Sequence, residues 1–223
     1  MMIAGVLLAA GASRRMGSDK ALVRSGGHSF LVNGVRHLWA GCDSVVVVLG
    51  SNGAAIRRGA EAEFEKLVKS GGLDLDLRIA QHHGLRGLEA HFLLNPKWRQ
   101  GMLCSARTGI ASALALDPAA VIVLPVDHPK VKALTVASLA RVLLEALAAC
   151  RPRDRAEFSY ALIPRHRRRR GHPIAITPAL ARAVAADRAA ADLSDAIRRN
   201  ARLVSYLDVD DPGVAINRNQ GRG

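Results

Sequence analysis

The sequence predicts a single α/β domain, a mostly parallel β-sheet with helices on both faces. Three observations carry that expectation. Short runs of branched apolar residues, such as Val45-Val46-Val47-Val48-Leu49, are bounded by turn residues, as in strands buried on both sides. Those runs alternate with longer segments whose apolar residues recur at helical spacing. Aromatics make up only 4% of the 223 residues while apolar types reach 49%, so Ala, Leu and Val must fill the core, which suits helices layered on a sheet better than an aromatic-rich barrel. This length suits one core rather than two, and the apolar share excludes disorder for most of the chain. The expected division is a domain over residues 1–216 and a frayed tail over 217–223, with no internal repeat or linker.

Residues 2–8 form the expected first strand, running into the small-residue segment Ala9-Ala10-Gly11-Ala12-Ser13. Phe30, Leu31, Val35 and Leu38 space a helix over 30–39, and the valine run gives a central strand over 45–49. A second amphipathic helix over 54–69 should stop at Gly71-Gly72. Alternation over 75–80 suggests an edge strand; a loop over 81–91 then leads into a short strand at 92–95, where Pro96 forces a turn. A loop and helix occupy 101–116, and a buried strand follows at 121–126, with Pro125 near its end. Val136, Leu139, Leu143 and Leu147 share one face of a helix over 134–149. Strands are expected at 158–163, 174–176 and 203–207, and residues 178–199 are expected to be helical in two pieces joined near Asp187.

The net charge of +13 implies an anionic partner, and phosphorylated small molecules, nucleic acid and acidic lipid all qualify. The opening apolar run, 6–10, is too short to span a bilayer and has no basic flank, so neither a membrane anchor nor a secretory signal is expected. Cys42, Cys104 and Cys150 make neither an even disulfide framework nor a Cys-x-x-Cys motif, which makes a reducing cytoplasm the expected compartment. His82, His83 and His91 lack a matching second pair or a nearby cysteine and read as a polar loop rather than a zinc site.

In a parallel α/β sheet, ligands gather at the carboxyl ends of the strands, which is where the segment from Ala9 to Lys20 must lie. Its small residues let the backbone N–H groups of Ala10 to Ser13 approach a polyphosphate, while Arg14, Arg15 and Lys20 supply cations. Ser18 and Asp19 intervene between Gly17 and Lys20, so this is not a Walker loop, and the dinucleotide pattern G-x-G-x-x-G is absent.

Leu8-Ala9-Ala10-Gly11-Ala12-Ser13-Arg14-Arg15-Met16-Gly17, followed by Lys20, resembles the L-A-A-G-x-S-x-R-M-G-x-x-K signature of the molybdenum-cofactor guanylyl- and cytidylyltransferases. Asn95-Pro96 with Gly101-Met102-Leu103-Cys104-Ser105 is similar to that family's N-P…G-M-x-x-S loop, Leu124-Pro125-Val126-Asp127-His128-Pro129 to its L-P-x-D-x-P, and Gly171-His172-Pro173 to its G-H-P. Asp208-Val209-Asp210-Asp211-Pro212 is similar to its closing D-I-D-T-P-E-D, with Gly213-Val214 in place of the acidic pair.

The resemblance implies a Rossmann-like fold of the nucleotide-diphospho-sugar transferase kind. It also implies an enzyme that moves a nucleoside monophosphate from an NTP to a phosphorylated acceptor, most simply molybdopterin or the molybdenum cofactor, and releases pyrophosphate. Leu8, Ala9, Ala10, Gly11, Ala12, Ser13, Arg14, Arg15, Lys20 and Ser105 would bind the nucleotide, with Arg15, Lys20 and Asp127 in catalytic roles. Asp127 and Asp210 would hold Mg²⁺, a hard cation satisfied by few carboxylates and several waters. His128, Gly171 and His172 would face the acceptor. The Ala-Ala-Gly form of the turn favours CTP, because guanylyl members of that family tend to carry L-A-G-G. A sugar- or alditol-phosphate nucleotidyltransferase and a non-catalytic nucleotide- or nucleic-acid-binding module are the alternatives. A molybdoenzyme or cofactor-handling protein would receive the product. The run Arg165 to Arg170, five arginines and a histidine, joins two strands without aromatics for base stacking, so it reads as a solvated or acceptor-facing hairpin tip rather than a nucleic-acid patch.

Overall fold

The computed structural model describes residues 1–11, 19–70 and 89–217. Its strands in chain order are β1 (Ile3–Ala9), β2 (Arg24–Ser25), β3 (His28–Ser29), β4 (Ser44–Leu49), β5 (Glu89–Leu94), β6 (Ala120–Pro125), β7 (Tyr160–His166), β8 (Arg169–Arg170), β9 (Ile174–Ile176) and β10 (Leu203–Asp208). The helices are α1 (Phe30–Trp39), α2 (Gly53–Lys69), α3 (Met102–Leu114), α4 (Ala133–Ala149), α5 (Pro178–Ala186) and α6 (Leu193–Asn200).

Eight strands share one sheet in the order β10-β7-β9-β6-β1-β4-β5, with β8 folded back on β7; β2 and β3 make a separate small hairpin. Pairings from β6 through β1 and β4 to β5 are parallel, as is β7 with β10, whereas β9 runs antiparallel to both its neighbours. The mostly parallel sheet expected from the sequence is therefore mixed, with one inverted strand in its middle.

β1 shows why the sheet needs two covers. All seven of its residues are buried. Ile3, Leu7 and Ala9 face a core shared with Leu31 and Val35 of α1, Ile56 of α2 and Leu139 of α4. Ala4, Val6 and Leu8 face the opposite core, with Ile110 of α3, Leu180 of α5 and Ile197 of α6. Three helices thus cover each face. Each fully buried Leu, Ile or Val contributes roughly 1.5–3 kcal/mol, while exposed i,i+4 pairs such as Arg57–Glu61 and Arg141–Glu145 contribute about 0.5 kcal/mol at most. The two apolar layers, not surface ion pairs, hold the fold.

Local signals set the ends of elements. Ser29 caps α1, its hydroxyl accepting from Val32 N–H at 3.2 Å, and Asp192 caps α6 through Asp195 N–H at 2.8 Å. The strand expected at 92–95 starts three residues earlier, because all six residues of β5 pair with β4 and that ladder overrides the polar composition of its first half. The expected edge strand over 75–80, the Gly71-Gly72 stop, His82 and His83 lie outside the described residues. The strand expected at 158–163 continues to His166 and turns back through Arg167 and Arg168, both with positive φ (46° and 68°), so that Arg165 pairs with Arg170. No helix among the described residues is long and apolar enough to cross a membrane.

Half-buried His37 on α1 has no hydrogen-bond partner at Nδ1 among the described residues. Burial, followed by the adjacent Arg36 charge, lowers its pKa to about 4, against about 6.5 in an unfolded chain. Between those values the unfolded state binds the proton and the folded state does not, so stability falls as pH drops from about 6.5 to about 4. In urea titrations across that window, His37→Gln is expected to show a shallower loss of stability than wild type; an unchanged slope would contradict the assignment.

Candidate active site

β1 and β6 are parallel neighbours, with Leu8 opposite Pro125, and Val126 N–H donates to the Leu8 carbonyl at 3.0 Å. Their carboxyl ends therefore open at the same edge of the sheet. A cavity of about 370 Å³ lies there, walled on one side by Leu8, Ala9, Ala10 and Gly11 and on another by Pro125, Val126 and Asp127. Lys20 enters it from a short 3-10 turn, and Ser105 from the first turns of α3. Segments far apart in the chain thus supply seven of the residues read from the sequence to one cleft. Ala12, Ser13, Arg14 and Arg15 lie outside the described residues.

The Asp127 side chain is 19% exposed, and His128 Nε2 lies 3.9 Å from its Oδ1. Trp98, Arg99 and Met102 also wall the cleft, and the Arg99 guanidinium lies 4.9 Å from the Trp98 ring centre. Sequence reasoning missed Trp98 and Arg99 and quoted Met102 only as part of a motif. Trp98 and Arg99 fall in the gap between Asn95-Pro96 and Gly101-Met102, where a lone aromatic before a glycine was the available signal.

A second cavity, about 630 Å³, adjoins the first through the Asp127-His128 dipeptide and is lined by His128, Gly171 and His172, the three residues expected to face an acceptor. Ile163, Ile174, Ile197 and Val204 give it apolar walls, while Arg170, Arg198 and Tyr206 add polar groups. The His128 and His172 rings meet edge-on, 4.9 Å between centres. Burial, then the neighbouring His128, lowers the His172 pKa to about 3, and burial also lowers His128 against the opposing pull of Asp127. Both rings are uncharged near neutrality. Each has a buried Nδ1 with no hydrogen-bond partner among the described residues, a group that a ligand could satisfy.

The arginine run divides by environment. Arg165 makes a two-bond contact with Asp208 (2.8 and 2.7 Å) and lies over Tyr206, whereas Arg170 lines the second cavity and donates to the Tyr206 hydroxyl at 3.3 Å.

The closing acidic segment divides in the same way. Asp208 is engaged by Arg165. The Asp210 side chain is 100% exposed, 4.0 Å from His166 Nδ1, and is not part of the lining of either cavity among the described residues. Asp211, adjacent in sequence, is buried and accepts from Lys132 N–H (2.7 Å), the Thr135 hydroxyl (2.7 Å) and Gly213 N–H (2.9 Å). It ties the chain end to the start of α4. A Cβ on Gly213 would lie 2.1 Å from the Lys130 carbonyl oxygen, and one on Gly171 1.8 Å from that of Val214, so both backbones pack where only glycine fits. His172 N–H donates to the Val214 carbonyl at 2.9 Å, and both residues line the second cavity.

An open-edged α/β sheet with two adjoining cavities at its strand ends is a ligand-binding architecture in which two substrates can meet. The MobA-like NTP transferase domain matches residues 5–204, and the chain belongs to that family of nucleotidyltransferases. It is 30% identical over 216 residues, 94% of this chain and 88% of the other, to nicotine blue oxidoreductase of Paenarthrobacter nicotinovorans. Among solved structures it is similar to Rv0371c of Mycobacterium tuberculosis H37Rv (TM-score 0.64, 17% identity, covering 95% and 90% of the two chains), which is also known as a manganese complex (TM-score 0.57, 16% identity, covering 94% and 90%). A nucleotidyl transferase from Methanothermobacter shares the fold at TM-score 0.62 with 18% identity, covering 98% and 92%.

Asp211→Ala would strand three donors, two of them buried, and is expected to lower unfolding free energy by about 3 kcal/mol. Asp210→Ala, a change to a solvated side chain, should leave the urea midpoint where it is. Equal midpoints for both variants would contradict the clamp.

Proposed function

We propose that this protein transfers a nucleoside monophosphate, CMP from CTP by preference, to a phosphorylated acceptor, molybdopterin or the molybdenum cofactor, and releases pyrophosphate. The observation that carries this reading is the convergence of Lys20 and Asp127 on the cavity behind Ala9-Ala10-Gly11 in a chain of this family. Charge builds on the attacked α-phosphate and on the departing pyrophosphate, so the residues have to position and neutralise rather than supply a nucleophile. Lys20, with Arg15 shortly before it in the sequence, is assigned to the phosphates. Ala9 to Ser13 and Arg14 would cradle them, and Ser105 would contact the nucleotide. The acceptor phosphate is already an anion near neutral pH, so no general base is required. His128, Gly171 and His172 would orient the acceptor in the adjoining cavity, whose polar groups include Arg170 and Arg198.

The Asp127 carboxylate fits a divalent cation: it is a hard oxygen donor on the cleft wall that takes no hydrogen bond among the described residues. Mg²⁺ bound there would offset phosphate charge. The manganese complex of Rv0371c supports a divalent ion as such. Among the described residues no three His, Cys, Asp or Glu side chains gather as a cage, so nucleotide oxygens and water would complete the shell, and Asp210 would have to swing in from solvent to join it.

A sugar- or alditol-phosphate acceptor is the same-class alternative. The 30% identity to nicotine blue oxidoreductase favours a second reading, a redox enzyme on this fold, although the sequence lacks the G-x-G-x-x-G pattern of dinucleotide-dependent dehydrogenases. Free Cys42, Cys104 and Cys150 suit the cytoplasm, where a molybdoenzyme or cofactor-handling partner would take the product.

Thermal-shift titration with CTP, GTP, UTP and ATP, each with Mg²⁺, tests the donor: CTP is expected to raise the midpoint most, since a ligand bound only by the native state stabilises it. Pyrophosphate release from CTP with molybdopterin tests the reaction, and Lys20→Ala is expected to slow it at least 100-fold, about 3 kcal/mol of transition-state stabilisation. Consumption of a nicotinamide reductant without pyrophosphate release from any nucleotide would favour the redox reading instead.

A further inference from the structure

Asn95 and Ser105 are both buried, and the hydrogen bond between them has a defined direction. Asn95 follows β5, where its backbone N–H donates to the Leu49 carbonyl at the end of β4 (2.8 Å). Its side-chain Oδ1 accepts from Lys97 N–H at 3.0 Å. A backbone N–H can only donate, so the amide oxygen belongs on that side and the NH₂ group must point the other way, toward α3. There Nδ2 donates to Ser105 Oγ at 3.0 Å and passes Cys104 Sγ at 3.8 Å. Ser105 Oγ is therefore an acceptor in that bond. Its own O–H proton has no acceptor among the described residues, yet Ser105 lines the nucleotide cavity. A buried hydroxyl with an unused proton is poised to complete its bonding with a ligand.

We propose that Asn95 is a positioning residue that makes Ser105 a one-way hydrogen-bond donor toward an oxygen acceptor on the bound nucleotide. This rests on the nucleotidyltransferase reading of the cavity and adds a polarity to it: the site supplies a proton here. The oxygen is either a base carbonyl, with Trp98 and Met102 beside Ser105 offering apolar surface to the base, or a phosphate oxygen, with Ser105 lying in the first turns of α3.

Asn95→Asp isolates the effect. It keeps the oxygen that accepts from Lys97 and replaces the donor by a second acceptor, so the Ser105 proton turns to the new carboxylate and away from the ligand. Calorimetry of the full chain with CTP and Mg²⁺ should show affinity weakened about tenfold, the size of one net hydrogen bond. Ser105→Ala, which removes only a hydroxyl, should weaken it equally, and Ser105→Thr should retain it. In the Ser105→Ala background, Asn95→Asp should add less than about a further twofold, because the two residues act through one bond. In turnover the losses should fall on KM for the nucleotide rather than on kcat. Inorganic tripolyphosphate, titrated in parallel, weakens to the same extent if the oxygen is on a phosphate and is unaffected if it is on the base.

Wild-type protein that binds none of the four nucleotides would remove the nucleotidyltransferase reading and this inference with it. Wild-type binding that Ser105→Ala leaves intact, or independent additive losses from the two sites, would overturn the inference alone. Ser105→Ala decides the matter even if Asn95→Asp does not fold.

Discussion

The parallel pairing of β1 with β6 is the constraint on which the remaining structure depends. Both strands are apolar throughout and buried on both faces, which forces them to the middle of a sheet covered by helices above and below. Being parallel, they end at the same edge, and the one-to-one register that sets Leu8 against Pro125 delivers Ala10-Gly11 and Asp127 to the wall of one cleft. An antiparallel arrangement would have sent the acid to the far side of the molecule. The chemistry assigned to Lys20 and Asp127 is thus a consequence of how two buried strands pair.

The second cavity depends on the inverted strand. β9 runs antiparallel to its neighbour β6 and starts where β6 stops, so the residues just before it, Gly171 and His172, arrive at the edge that Asp127 and His128 have just left. That inversion brings the two imidazoles within ring contact. The chain end then closes the gap: Asp211 is held by the start of α4, and the Val214 carbonyl receives the His172 N–H. A cavity built by parallel strands and another built with the antiparallel one share the Asp127-His128 dipeptide as their border. Two substrates placed in them would meet at that border.

Much of this was legible in the sequence, for identifiable reasons. Branched apolar runs marked the central strands because a strand buried on both faces has no room for polar side chains. The small residues after β1 were legible as a turn from their composition and Asp127 through the family resemblance, and both line the first cavity. The closing segment was only partly legible. Asp208, Asp210 and Asp211 are alike as residues, and only folding separates them into a surface ion pair, a solvated acid and a buried clamp. The sequence therefore offers Asp211 no role of its own, while the resemblance points to Asp210 as a metal ligand. The arginine run hid a similar difference, since alternation along the hairpin, not composition, sets Arg170 in the second cavity. Trp98 carried no periodic signal, because a single side chain from an irregular connection has no pattern to betray its direction. Asn95 was noticed as part of a motif, but its bond polarity requires the positions of Lys97 and Ser105 together.

The central claim is that the β1 turn and Asp127 act on one nucleotide. A crystal structure with CTP and Mg²⁺ tests it most directly. The account predicts the triphosphate lying between the Ala10-Gly11 backbone and Lys20, with Asp127 within about 6 Å of the metal, close enough to bind it directly or through one water. Nucleotide bound elsewhere, or a metal beyond that distance from Asp127, would contradict it.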